Sequence, residues 1–308
     1  MKVAIVDCGT NTFNLLIAEK TDQGVETLFS NKLPVKLGAG GFENKEILPS
    51  RFVRGLDALL SHKTNIDNFQ VEKVFAFATS AVREASNGRE FIEVARKNIG
   101  IDIELIDGDR EAELIYKGIK QTYEFTADPT LIMDIGGGST EFIIANNTGI
   151  LWKQSFLLGV SRLHDQLKPN DRMTHEDVHR LRNVLDKQLM PLKNILKELP
   201  CQDLVGSSGS FDTLLDLFRK AAKDIDPAWR PGLLNEINIS AFPAIHAYLM
   251  GSTYEERLKH PAIPAIRAEY MPLASYLIKF VMEHNKFRRL YHSAYALKEG
   301  ALEECMNR

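Results

Sequence analysis

Two short stretches place an aspartate at the end of an apolar run and follow it with glycine and small polar residues. They are Val3-Ala-Ile-Val-Asp-Cys-Gly-Thr-Asn-Thr and Leu131-Ile-Met-Asp-Ile-Gly-Gly-Gly-Ser-Thr. Glycine lets main-chain amides approach an anion closely, and successive amides form a nest for phosphate oxygens. Gly9, Thr10 and Asn11 in the first stretch, and Gly136, Gly137, Gly138 and Ser139 in the second, are therefore candidate phosphate-binding residues. A plain hairpin turn would use the same glycines. The repetition of the whole chemistry favours the anion. Asp7, Asp134 and Glu141 add hard oxygen ligands beside these turns, which suits Mg²⁺ bridging carboxylate and phosphate. One aspartate at a strand end is an ordinary turn-former, so the Mg²⁺ expectation rests on the three together.

Other residues extend this chemistry. Arg83, in Thr79-Ser-Ala-Val-Arg, carries a guanidinium fork that suits a phosphate bidentately. A surface ion pair is its bland alternative. Glu111 sits where a helix should begin, and acidic residues favour that position for dipole reasons alone. Opposite a bound phosphate it could also orient or deprotonate water. Gly206, Ser207, Ser208 and Gly209 form a further turn ahead of a helix, where N-terminal amides can face an anion. No Gly-x-x-x-x-Gly-Lys-Ser/Thr motif is present, which excludes a P-loop. His175-Glu-Asp-Val-His179 matches the zinc-protease pattern. Thr174 with Asp177 reads instead as a capping box at a polar helix start, which disfavours zinc.

The 308 residues suffice for about two domains, and a net charge of −3 argues against wholesale nucleic-acid binding. Three scattered cysteines imply neither a disulfide framework nor a cysteine-zinc site and fit a cytoplasmic setting. The first apolar run is too short for a signal peptide, and no stretch could span a bilayer, so no membrane partner is expected.

The elements that must carry these residues are marked by an internal repeat. Aligning Asp7 with Asp134, 127 positions on, also aligns Gly9 with Gly136 and Asn14 with Glu141. Each copy reads as strand, polar turn, strand. Between and beyond the copies, strands are expected at 25–32, 74–78 (buried), 103–106, 150–156, 203–206 and 290–292. Helices are expected at 47–66, 89–98, 109–123 with Asp109 as N-cap, and 174–199 with a break near Pro191. Two more are expected at 262–284, with Pro264 in the first turn and a kink at Pro272, and at 294–306. Alternating strands and helices give an α/β class. The boundaries expected are an N-terminal lobe over 1–120 and a C-terminal lobe over 121–308. The final helix, about 296–308, would pack back on the first lobe.

Over essentially its whole length the chain resembles the exopolyphosphatase/guanosine pentaphosphate phosphohydrolase (Ppx/GppA) family. The resemblance is carried by the two turn segments, Phe77-Ala-Thr-Ser-Ala-Val-Arg-Glu-Ala, Glu104-Leu-Ile-Asp-Gly-Asp-Arg-Glu-Ala, Val205-Gly-Ser-Ser-Gly-Ser and Tyr295-Ala-Leu-Lys-Glu-Gly-Ala-Leu. It implies a two-lobed actin-like (ribonuclease H-like) ATPase fold with duplicated β-hairpin phosphate loops and a site between the lobes. Glu111 would be the catalytic base. Arg83 and the glycine turns would hold terminal phosphates. Asp134 and Glu141 would bind Mg²⁺ with help from Asp7. The substrate implied is inorganic polyphosphate or guanosine pentaphosphate. A sugar or acid kinase and a non-catalytic alarmone sensor are the other readings of such a cleft. Longer members carry a C-terminal HD-type helical domain, so this sequence reads as a short form. Short polyphosphate is then the expected substrate, with Arg83, Arg267, Lys32, Lys36 and Arg110 as its basic track. A homodimer is expected by analogy.

Overall fold

The computed structural model describes residues 1–221 and 231–306. The chain divides into two compact units, Met1–Gly118 with the segment from Ala296, and Ile119–Tyr295. The last two positions of the helix expected to reach 308 lie outside the described residues.

The first unit is built from β1 (Lys2–Cys8), β2 (Thr12–Thr21), β3 (Gly24–Pro34), α1 (Pro49–Asn68), β4 (Lys73–Ala78), α2 (Ser80–Glu84), α3 (Gly88–Ile99), β5 (Ile103–Leu105) and α4 (Gly108–Lys120). Its sheet has the order β3-β2-β1-β4-β5, antiparallel across the first three strands and parallel from β1 to β5. Val3 to Val6 are fully buried, as a central strand covered on both faces requires. Phe91 of α3 meets Phe13 of β2 and Phe52 of α1 edge to face, joining both helices to the sheet. Cys8 is buried, and burial followed by the neighbouring Asp7 charge pushes its thiol pKa well up, so it stays an inert thiol.

The second unit opens with β6 (Thr130–Ile135), β7 (Thr140–Asn146), β8 (Gly149–Phe156), α5 (Val160–Leu167), α6 (His175–Gln188), α7 (Met190–Glu198), β9 (Asp203–Ser207) and α8 (Ser208–Ala221). It continues with β10 (Leu234–Ile237), α9 (Phe242–Gly251), α10 (Tyr254–Lys259), α11 (Met271–His284) and β11 (Arg289–Ser293). The sheet order is β10-β11-β9-β6-β7-β8. Helix α12 (Leu297–Met306) returns to the first unit and lies on β1 and β2.

The duplication extends well past the hairpins. Asp7 pairs with Asn14, and Asp134 pairs with Glu141. A third antiparallel strand follows each hairpin, with a register shift at Ile17/Ala18 in one copy and Ile144/Ala145 in the other. Two parallel strands then extend each sheet on the far side of β1 and β6. The α/β class and the repeated hairpins stand as the sequence suggested.

Several local expectations need correction. β4 is not a buried strand throughout: Lys73 and Val74 are exposed at its open end, and only Ala76 to Ala78 are buried. Helix α4 starts one turn-residue earlier than expected, because Asp107 rather than Asp109 caps it, its Oδ1 accepting the Arg110 N–H at 2.8 Å. Pro272 produces no kink. It lies in the first turn of α11, where its missing N–H has no partner to lose, and residues 262–270 form turns instead. Helices α2, α5, α9 and α10 and strand β10 have no counterpart among the expected elements. The capping box at α6 is present, with Thr174 and Asp177 exchanging hydrogen bonds. Among the described residues no helix is long and apolar enough to cross a membrane.

Candidate functional site

In the first unit, parallel pairing sets Cys8, Ala78 and Leu105 side by side. The β1–β2 turn, α2 and α4 therefore leave one edge of the sheet, the carboxyl edge, where open α/β sheets present ligands. This edge carries Asp7, Gly9, Thr10, Asn11, Arg83 and Glu111. Asn14 Nδ2 donates to Asp7 Oδ2 at 2.8 Å. The Gly9 N–H donates to Thr12 O at 3.1 Å and closes the turn. The returning chain ties down the turn's carbonyls: Thr10 O accepts from Gly38 N–H at 3.4 Å, and Asn11 O from Val35 and Lys36 N–H at 2.9 Å each.

Arg83 and Glu111 are partners. Arg83 Nη1 donates to Ile106 O at 2.9 Å and approaches Glu111 Oε2 at 3.3 Å. Glu111 is only 7% exposed. The carboxylate is thus held in place by a cation which is itself fixed to the main chain. Helix α4 is braced in turn by α12, whose Glu304 contacts Arg110 at 2.6 Å and Lys117 at 2.5 Å. The hydrogen bond to Glu304 raises the Arg110 pKa, so this residue, read as part of a basic track, stays charged and has that charge paired with Glu304.

The second unit presents the corresponding edge. Asp134 is 5% exposed, and its Oδ2 accepts from both Ser207 Oγ at 2.6 Å and Ser208 Oγ at 2.7 Å. Glu141, buried beside it on β7, accepts from Ser155 Oγ at 2.7 Å. The Gly136 N–H donates to Ser139 O at 3.0 Å, the counterpart of the Gly9 bond. The carbonyls of Gly136 and Gly137 accept from the first amides of α5, and Gly138 O accepts from Arg162 Nε at 2.7 Å.

Gly206 and Gly209 have packing roles here. A Cβ at Gly206 would lie 2.0 Å from the Phe211 ring, and one at Gly209 would meet the Arg267 guanidinium at 1.9 Å. Arg267 donates to Gly209 O and to Thr213 Oγ1. Ser208 takes a left-handed φ of 65°, which costs energy in a non-glycine residue and turns its hydroxyl onto Asp134. The Ser207 and Ser208 hydroxyl protons are thus given to Asp134, whereas the phosphate binding expected of this turn rests on its main-chain amides.

His175 and His179 are exposed at the start of α6. Between them Asp177 is buried. Burial acts to raise its pKa, but hydrogen bonds from Thr174, Asn170 and Arg180 hold it well below the usual carboxylate range. Among the described residues no group of three or more His, Cys, Asp or Glu could hold a metal. The Asp134–Glu141 pair still fits Mg²⁺, which binds through one or two carboxylates and keeps several waters. Serine donors on one oxygen of each carboxylate are the kind of support such ligands need.

Sequence reasoning missed Gly159 and Arg162. A Cβ at Gly159 would sit 2.3 Å from Gly137 C and Gly138 N, so α5 can begin against the triple-glycine turn only with glycine there. The signal was a glycine between the end of a strand and a short amphipathic run.

Comparison with known proteins agrees with this architecture. An exopolyphosphatase from Cytophaga hutchinsonii is 36% identical, with a TM-score of 0.94 over 100% of this chain and 98% of its own. The Ppx/GppA enzyme of Aquifex aeolicus is 26% identical, with a TM-score of 0.78 over 99% of both chains. A Haemophilus influenzae protein, whose name provisionally assigns exopolyphosphatase activity, is 29% identical over 226 residues, 73% of this chain and 69% of that one. The model of the Ppx/GppA phosphatase family matches residues 16–308, and the chain belongs to that family.

Proposed function

We propose that this protein is an exopolyphosphatase-type phosphohydrolase, releasing terminal orthophosphate from inorganic polyphosphate. The observation that carries the reading is the buried Glu111 carboxylate, held by Arg83 on the same sheet edge as the first glycine turn. The likeness to the Cytophaga exopolyphosphatase over the full chain supports polyphosphate over guanosine pentaphosphate as substrate.

In this reading the turn amides hold oxygens of the terminal phosphoryl group. Glu111 accepts a proton from water as the water oxygen bonds to phosphorus. The P–O bond to the next phosphate breaks, and the shortened chain leaves as an anion that needs no proton at neutral pH. Arg83 keeps Glu111 oriented and offsets the charge that develops on the transferred group. Asp134 and Glu141 would hold Mg²⁺, which would supply charge neutralisation on phosphate oxygens.

The test is orthophosphate release from polyphosphate of defined lengths, guanosine pentaphosphate and ATP, by wild type and by Glu111→Gln. Gln keeps size and polarity but cannot accept the proton. Turnover should fall roughly 10²-fold or more. Near-normal turnover by the variant refutes the base. Release from guanosine pentaphosphate alone transfers the activity to that substrate.

A further inference from the structure

The two glycine turns are oriented by different means. A trans peptide group is planar, with its C=O and N–H pointing opposite ways. Fixing the carbonyls of Gly136, Gly137 and Gly138 on one side therefore turns the N–H groups of Gly137, Gly138 and Ser139 to the other, which builds the nest. The first two carbonyls are fixed by main chain: Val160 N–H on Gly136 O at 3.0 Å, and Ser161 and Arg162 N–H on Gly137 O at 2.9 and 3.1 Å. Any sequence in α5 would provide those bonds. The third, on Gly138 O, comes from a side chain, Arg162 Nε at 2.7 Å.

The first turn differs at the equivalent position. There the residue aligned with Gly138 is Asn11, and main-chain N–H groups of Val35 and Lys36 hold its carbonyl. Gly138 is the more easily rotated residue, and it has the more easily lost anchor. If the 138–139 peptide flips, a carbonyl oxygen replaces an amide donor on the binding side, and an attraction for phosphate becomes a repulsion.

We propose that Arg162 is a positioning residue that keeps the Gly138–Ser139 peptide in its anion-binding orientation and thereby sets the affinity of this turn for a terminal phosphate. The inference rests on the phosphate-binding reading of the turn and adds to it the residue that controls the turn.

Arg162→Met keeps much of the apolar stem and removes the donor; Arg162→Lys keeps a donor and the charge. The assay is steady-state orthophosphate release from short and long polyphosphate at low and high salt, with thermal unfolding to verify that the variants fold. Calorimetric titration with tripolyphosphate gives a second readout. For Arg162→Met, KM should rise roughly 10- to 100-fold, the worth of one charge-assisted hydrogen bond. That factor should be the same for all chain lengths and should persist at high salt, with kcat changed much less. Lysine should restore part of the loss.

An unchanged KM in a folded Arg162→Met protein overturns the proposal. So does a factor that collapses as salt rises, which would mark Arg162 as a screened charge instead of an anchor. If the wild type releases no orthophosphate from any polyphosphate, the functional reading fails separately. Tripolyphosphate affinity then decides the inference: weakened in Arg162→Met, it stands; equal in the two proteins, it falls.

Discussion

Replacing Gly159 by alanine tests whether the second glycine turn holds the substrate. The added Cβ would lie 2.3 Å from Gly137 C and Gly138 N, whereas ordinary contact begins at 3.4 Å. Both neighbours are main chain, so no side chain can swing aside. The turn must move by about 1 Å, or α5 must lift from it. Overpacking of this kind costs about 1–3 kcal/mol of stability, which a unit with so large a core should survive. A displacement of about 1 Å at a binding group is enough to cost roughly 10²-fold in turnover. Gly159→Ala should therefore remain folded by circular dichroism and thermal melt while orthophosphate release falls about 10²-fold. Gly251→Ala is the control, since nothing lies within 4 Å of the new Cβ at the end of α9. A folded Gly159→Ala protein with wild-type turnover would show that this turn does not hold the substrate.

Further outcomes follow from the same geometry. Ser207→Ala and Ser208→Ala each take a donor from Asp134, so calorimetric Mg²⁺ affinity should drop about 10- to 100-fold; unchanged affinity would separate Asp134 from the metal. Thr174→Ala should cost about 1 kcal/mol in denaturant melts by removing the cap of α6. Asp177 has a lowered folded-state pKa, so its contribution is present above the unfolded value, about 4, and fades as pH falls below it. The stability gap between wild type and Asp177→Asn should accordingly narrow in acid. His175→Ala and His179→Ala should leave phosphate release and metal content unaltered, because both rings are exposed at a capped helix start.

The parts legible in the sequence were those in which local chemistry and burial agree. Asp7 and Asp134 marked matching turns because an aspartate, a glycine and small hydroxyl or amide residues recur between apolar runs, and the pairing of Asp7 with Asn14 and of Asp134 with Glu141 reproduces that alignment. Pro272 was misread because apolar periodicity continues across it, and periodicity says nothing about where a helix begins. Asp107 and Asp109 are equally good caps on paper. Only the path of the chain leaving β5 selects between them. Gly159 and Arg162 were passed over because a glycine ahead of a short amphipathic run hints at a helix start and at nothing more. Their roles come from α5 abutting a turn more than twenty residues earlier, and no local pattern encodes that crossing. The link from Arg83 to Glu111 spans 28 positions and is likewise a product of strand order.

Helix α12 has a consequence for biosynthesis. It covers β1 and β2, and it crosses α4 so closely that a Cβ on Gly300 would lie 1.9 Å from Leu114 O and one on Gly118 would lie 2.0 Å from Ala296 O. Residues 121–296 are translated between α4 and this helix. At about 5–20 residues per second, that interval lasts roughly 10–35 s. Throughout it the nascent first unit presents the apolar face of its central hairpin to solvent and to ribosome-associated chaperones. The unit made first is therefore finished last, and a chain stalled during translation of the second unit would expose that face as a target for degradation.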